Sequence, residues 1–402
     1  MIDSVISSKR GLSLRRVFIF FICIYVVLLP IGTGLSGIIG SVSLMNYFAV
    51  AILASGIVLM ATHGSAGTIS KDTVPTILYF VYTIISIIWS SNTVINWYVL
   101  TNITNFLLLV VLNTYKWNKK ELATIEKSLA VSQLIVVWAV LRNIATLNTY
   151  RLSITVVSTI GISDFACGLC LIIALWMNSA ASSESKWTKL IAYLAIAFDF
   201  AVILMAGSRG ALVMFAAMVV VWVLLGDYSR RSKLFIIVMI VIALVFFDQF
   251  FMQLLPKTIT SRLTFDAVRS SRGSGRYNVW YLAWDIFKDS NLLRILFGYG
   301  FNSFLDTVQY GNYGGNQNLL AHNVIIQTMI EGGVFGLFFL IRMIMSQIKM
   351  AWIRDDGMMK IAIIGLIVAA LSIDMQVTRI WGFILAFNLF RCARGEINGK
   401  EQ

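Results

Sequence analysis

Residues 321–343 read AHNVIIQTMIEGGVFGLFFLIRM. From Val324 onward this stretch is apolar enough to cross a bilayer as a helix, which takes about 20 such residues. His322 and Asn323 stand at its mouth, and Gly333 and Gly336 follow inside it. The chain has one other histidine, His63. An imidazole at a membrane surface can take or give a proton near neutral pH, because its unperturbed pKa is about 6.5. The fold therefore reads as a membrane bundle, with a site at the end where His322 sits.

The rest of the chain agrees. Apolar residues make up 58% of its 402 positions and charged residues 13%, against roughly a quarter charged in a soluble domain. That balance excludes a soluble enzyme and predicts an all-α polytopic membrane protein. Apolar segments fall near 17–31, 38–61, 73–91, 95–113, 129–147, 154–178, 189–206, 209–226, 234–254, 321–343, 359–374 and 379–393, about twelve transmembrane helices. They divide the chain into helices 1 to 9 over 1–254, a large loop over 255–320, and helices 10 to 12 with a tail over 321–402. The first apolar run follows Lys9, Arg10, Arg15 and Arg16 without a small-residue cleavage site, and reads as an uncleaved first span. No internal repeat of halves is found. Cys23, Cys167, Cys170 and Cys392 all lie in or beside apolar segments and read as small buried hydrophobes rather than as a zinc set.

With the N-terminus cytoplasmic, 21 of the 32 Lys and Arg fall on the inner side, as the positive-inside bias requires. The other 11 face outward, and nine of them are arginine. Lysine suffices for orientation, whereas the planar guanidinium fork suits phosphate oxygens. A histidine beside such groups suits a phosphorylated, lipid-linked substrate. The net charge of +13 reflects this topology and contact with anionic lipid, and no nucleic-acid module is present.

The loop from Leu255 to Leu320 is long enough to imply a function. Within it, Trp280, Trp284 and Phe287 recur at helical spacing with Tyr277 and Tyr281 alongside, which predicts a short helix lying in the interface. Gly273-Ser274-Gly275 and Gly298-Tyr299-Gly300 read as hinges at its two ends.

Several residues could carry chemistry, each beside a plainer role. Arg209, in the tight turn Gly207-Ser208-Arg209-Gly210, either faces a polar cavity or snorkels to the surface. Arg276 either meets phosphate or is a solvated loop arginine, and Arg272, Arg269 and Arg262 are of the same kind. Arg151 could equally bind lipid headgroups. Asp164, between Gly161 and Gly168, either lines a cavity in an irregular helix or is a neutral acid bonded to a neighbouring helix. Asp374 and Arg379 flank the last outward turn and read as an ion pair. Asp199 and Asp248 are embedded acids for which a proton path is conceivable. Glu331 should point away from His322. His322 itself could simply cap a helix.

Taken in order, these features resemble the O-antigen ligase and polymerase superfamily of bacterial polysaccharide assembly. The resemblance rests on Ser208-Arg209-Gly210-Ala211, on Gly275-Arg276 through Trp280 and Trp284, on Phe297-Gly298-Tyr299-Gly300-Phe301-Asn302-Ser303-Phe304, and on His322-Asn323 with Gly333 and Gly336. It covers about residues 205–340. It implies a glycosyltransferase of the bacterial inner membrane with both termini cytoplasmic, a periplasmic site, and neither metal nor cofactor. The donor would be an undecaprenyl-diphosphate-linked glycan. The acceptor would be a second lipid-linked glycan for a polymerase, or lipid A-core for a ligase. Chain-length regulators and a flippase would be its partner proteins. Arg209 and Arg276 would hold the diphosphate and His322 would act on the acceptor hydroxyl. Asn323, Arg151, Arg272, Asp164 and Arg379 are further candidate substrate contacts. The outer-loop features look more like those of polymerases. A transporter of lipid-linked sugars would show polar residues along cavities on both sides and a repeat of halves.

Overall fold

The computed structural model describes residues 2–39, 42–92, 94–148, 152–226, 229–245, 276–308, 320–374 and 378–392. Helices dominate them. Eight are long and apolar enough to cross a membrane, running over Leu14–Leu35, Leu44–His63, Lys71–Trp89, Trp97–Thr114, Lys119–Leu147, Ile162–Ser182, Lys186–Ala206 and Val324–Ile353. Two shorter apolar helices, Arg209–Leu225 and Gly357–Ala370, pack against one another, and Arg230–Val245 and Arg379–Cys392 are helical too. Each of the twelve apolar segments thus contains a helix.

Two segments start later than hydropathy suggests. Ser36–Ile39 and Val42–Ser43 form a short antiparallel pair before the Leu44 helix. Ile154–Thr155 pairs with Thr159–Ile160, and the helix begins only at Ile162. The run from Ile154 to Ile160 is mostly Ile, Val and Thr, whose branched Cβ favours strand over helix.

The helix starts are written in short polar side chains, which satisfy amide groups that a helix cannot satisfy itself. Asn96 accepts from the amides of Tyr98 and Val99, and Ser208 from that of Ala211. Asn118 and Glu121 form a reciprocal capping box. Inside the bundle, polar residues are tied in pairs across helices. Gln347 donates to Thr76 and receives a bond from Asn388. Gln133 donates to Asp199 at 2.9 Å and accepts from Trp176 at 3.0 Å, joining three helices. Asp248 lies outside the described residues. Cys167 and Cys170 are buried, as expected of small hydrophobes.

The helix Val324–Ile353 is broken at Gly333, whose φ of 62° and ψ of −156° only glycine adopts readily. The break frees backbone carbonyls, and the Gly298-Tyr299-Gly300 motif takes up two of them. The amides of Tyr299 and Gly300 donate to the carbonyls of Ile330 and Glu331 at 2.9 and 2.8 Å, and Tyr82 Oη donates to Gly332 at 2.6 Å. A Cβ on Gly298 would stand 2.4 Å from the Glu331 backbone, and one on Gly300 would stand 2.3 Å from Ser90 Cα. The Gly298-Tyr299-Gly300 hinge expectation is therefore corrected: these glycines are clamped between two spans because only a hydrogen fits there. Gly273-Ser274-Gly275 lies outside the described residues.

We expect Gly333→Ala to lower stability by about 1–3 kcal/mol from backbone strain alone. Backbone atoms 2.6 Å from its new Cβ would add to that. Gly332→Ala meets side chains alone, the Tyr82 ring at 3.2 Å and Thr328 Cγ2 at 3.7 Å, and should cost less. Thermal melts of the two variants in detergent check the ranking.

Candidate active site

His322 sits just before the broken helix with φ of 48°, a left-handed backbone that needs support from its surroundings. Asp374 supplies it. Its Oδ1 accepts from the His322 amide at 2.9 Å, and its Oδ2 lies 2.7 Å from the ring Nδ1, though off the line of a well-formed hydrogen bond. Asp374 is buried, while the His322 ring is one-third exposed. The Asp374–Arg379 pair read from the sequence is thus overturned, because the carboxylate is spent on His322. Arg379 instead donates to Asn46 at 2.6 Å.

The neighbours of His322 are fixed to the same turn. Asn323 accepts from the amides of Ile325 and Ile326, so it is the helix cap, and its Nδ2 donates to the Leu371 carbonyl at 3.3 Å. Ala321 receives a 2.7 Å bond from Trp280 Nε1 in the loop helix Arg276–Lys288. Gly210 packs so tightly on Ser372 that a Cβ would come within 2.1 Å of its Oγ. The Ser208-Arg209-Gly210 turn is thereby seated on the 371–374 turn, two residues from Asp374. A bulkier side chain at 210 would wedge the two turns apart.

Charge gathers at this point. Arg276, at the start of the loop helix, is half-buried and lies within electrostatic reach of Asp374 and Cys167. Burial draws its pKa below the ordinary arginine value, while the Asp374 charge works in the opposite direction. Among the described residues its guanidinium finds no hydrogen-bond partner. Asp164 is acted on by both Asp374 and His322. It sits in the first turn of a helix that breaks at Leu169, exposed in a cleft shared with Thr33, Thr378 and Arg379. That matches the cavity-lining alternative and not the buried, bonded one. Tyr98, absent from the sequence reading, also lies in the field of Asp374 and Asp164.

Glu331 accepts from Gln327 at 3.2 Å and from the Phe304 amide at 3.4 Å, so it braces the loop residues against the broken helix, and it too lies in the field of Asp374. Other candidates stand apart. His63 ends a helix at the opposite face of the bundle. Arg151, Arg272, Arg262 and Arg269 lie outside the described residues.

The structure therefore brings together an imidazole with a carboxylate behind it, a half-buried guanidinium, a second carboxylate and the arginine turn. Such a set can take a proton from a hydroxyl while cationic groups face an anionic leaving group. No curated protein sequence matches this chain. Residues 192–341, which include Arg209, Arg276, His322, Asn323, Gly333 and Gly336, match the family model described as O-antigen ligase. Asp374 lies beyond that match. The match covers a domain of this multi-pass helical membrane protein, less than half of the chain, and supports a place for it in the O-antigen ligase and polymerase superfamily.

Proposed function

We propose that this protein polymerises oligosaccharide repeat units carried on undecaprenyl diphosphate, at the periplasmic face of the bacterial inner membrane. The observation that supports glycan transfer is the His322–Asp374 contact with Arg276 in its field, and the lean to polymerisation rests on the resemblance of Gly275-Arg276 through Trp280 and of Gly298-Tyr299-Gly300 to polymerases. With Nδ1 turned to Asp374, Nε2 is the nitrogen left to accept a proton from the acceptor hydroxyl. The acceptor oxygen then forms its bond to the donor anomeric carbon as the bond from that carbon to phosphate oxygen breaks. The electron pair leaves with undecaprenyl diphosphate, whose growing charge Arg276 and Arg209 stabilise. Direct displacement inverts the anomeric centre. Phosphate charge met by arginine needs no divalent cation, so chelator treatment is expected to leave transfer unchanged.

Asp374 acts through His322 and is a positioning residue. Asp374→Asn is expected to lower kcat by about 10²–10⁴-fold while KM for the lipid-linked donor changes little. Partial recovery in Asp374→Glu would separate that role from a merely structural one, and a KM effect alone would contradict it.

A second reading, transfer of a finished glycan to lipid A-core, is favoured by the description of the matched family as O-antigen ligase. Deleting the gene and weighing the surface glycan separates the two. A single repeat unit on the final anchor supports polymerisation. Full-length polymer stranded on the carrier supports ligation. Repeats trapped on the cytoplasmic face would overturn both in favour of transport.

A further inference from the structure

The loop helix Arg276–Lys288 has two unlike faces. Val279, Ala283 and Trp280 turn toward the bundle, with Phe287 packed beside them. This corrects the expected stripe of Trp280, Trp284 and Phe287, since two of those three rings are used for docking. The outward face instead carries Tyr277, Tyr281 and Trp284, which are 45%, 72% and 53% exposed. They stand at i, i+4 and i+7, so the three rings line one side of the helix over about 10 Å.

The simplest occupant for exposed aromatics on a membrane protein is the lipid interface. The rest of this face argues against it. Asp285 and Lys288 lie on the same side, four residues after Tyr281 and Trp284, and both are exposed, as is Asp289 beyond them. Carboxylates placed among the rings are costly against acyl chains. Against a sugar they are useful. The C–H face of a pyranose is apolar and stacks on an aromatic ring, while its hydroxyls need hydrogen-bond partners at the rim. The row also starts at Tyr277, next to Arg276, the residue proposed to hold the donor diphosphate.

We infer that Tyr277, Tyr281 and Trp284, rimmed by Asp285 and Lys288, form a stacking platform for the saccharide of the lipid-linked substrate, beyond the sugar that reacts. The platform rests on the glycan-transfer reading for its substrate, and it names where that substrate's chain lies. It recognises a run of sugar rings, whereas the His322 site recognises one hydroxyl and one diphosphate.

The test uses full-length protein in nanodiscs and the variant Tyr281→Ala/Trp284→Ala, whose two side chains are exposed and leave the buried face intact. Two substrates are compared, the lipid-linked repeat unit and the same lipid carrying a single sugar. Loss of two stacked rings is expected to raise KM for the repeat unit by about 10- to 100-fold, and to narrow its advantage over the single-sugar lipid by the same factor. Tyr281→Phe should retain that advantage. An equal loss on both substrates would mean a membrane or structural seat and would overturn the platform, as would an unchanged KM. Binding of a soluble oligosaccharide, released by mild acid from the cell's own surface glycan, is measured in parallel by saturation-transfer NMR. Binding by wild type and by His322→Ala but not by the double variant would uphold the platform even if transfer itself were not observed. Binding by all three would refute it.

Discussion

His322→Ala is expected to abolish transfer while the protein still inserts and accumulates to wild-type levels. The imidazole is one-third exposed and stands outside the buried core, so its removal is expected to leave the bundle folded. What it removes is the proton acceptor, a contribution of about 10²–10⁴-fold. In a cell this should appear as the glycan phenotype of the full deletion, with normal membrane levels of the variant. The substitution also frees the Asp374 carboxylate, whose bond to the backbone amide of residue 322 can persist. His322→Gln keeps much of the volume and should be as inactive. Activity in either purified variant would remove the assigned role.

The second large effect is expected at the two arginines. Arg276→Lys and Arg209→Lys each keep the charge but lose the planar fork that meets two phosphate oxygens at once. Each should lower transfer by about 10²-fold or more, as for loss of one transition-state donor, and should weaken donor binding as well. Arg276 is the sharper test. It is half-buried and pays a desolvation penalty that no described hydrogen bond offsets, which fits a guanidinium waiting for an anion. If Arg276→Lys transferred at the wild-type rate, a two-pronged phosphate contact there would be ruled out.

Much of this was legible in the chain, for reasons that differ by residue. Each segment picked out by hydropathy contains a helix because in a bilayer a helix must be apolar along its length. It misplaced the starts at 38 and 154, where hydropathy is blind to the difference between apolar strand and apolar helix. His322, Arg209 and Arg276 stood out because polar residues at span ends are conspicuous. Their convergence was not legible, because it depends on long-range contacts: Trp280 with Ala321, Gly210 with Ser372, and Asn323 with Leu371. Asp374 was paired with its neighbour Arg379 when its true partner lies 52 positions away. Its place at a turn between apolar segments, at the same end of the expected spans as the histidine, was the signal that could have found it.

The glycines make the same point. Gly298, Gly300 and Gly333 were visible as motifs, yet flexibility was the wrong reason for them. Each marks a place where two backbones touch, and which backbones meet cannot be read from one strand of text. Trp280 likewise reads as an interfacial anchor until its indole is seen holding Ala321, next to the histidine. The loop helix thus belongs to the site through its inner face, leaving its outer face for another purpose.

The most direct measurement is transfer by purified wild-type protein in nanodiscs, given the undecaprenyl-diphosphate-linked repeat unit as its sole substrate and followed by mass spectrometry of the lipid-linked products. Ladders of two or more repeat units on the carrier, with inverted linkages and absent from the His322→Ala control, are the expected result. Folded wild-type protein that extends no chain from that substrate, or a His322→Ala control that extends it equally well, would contradict it.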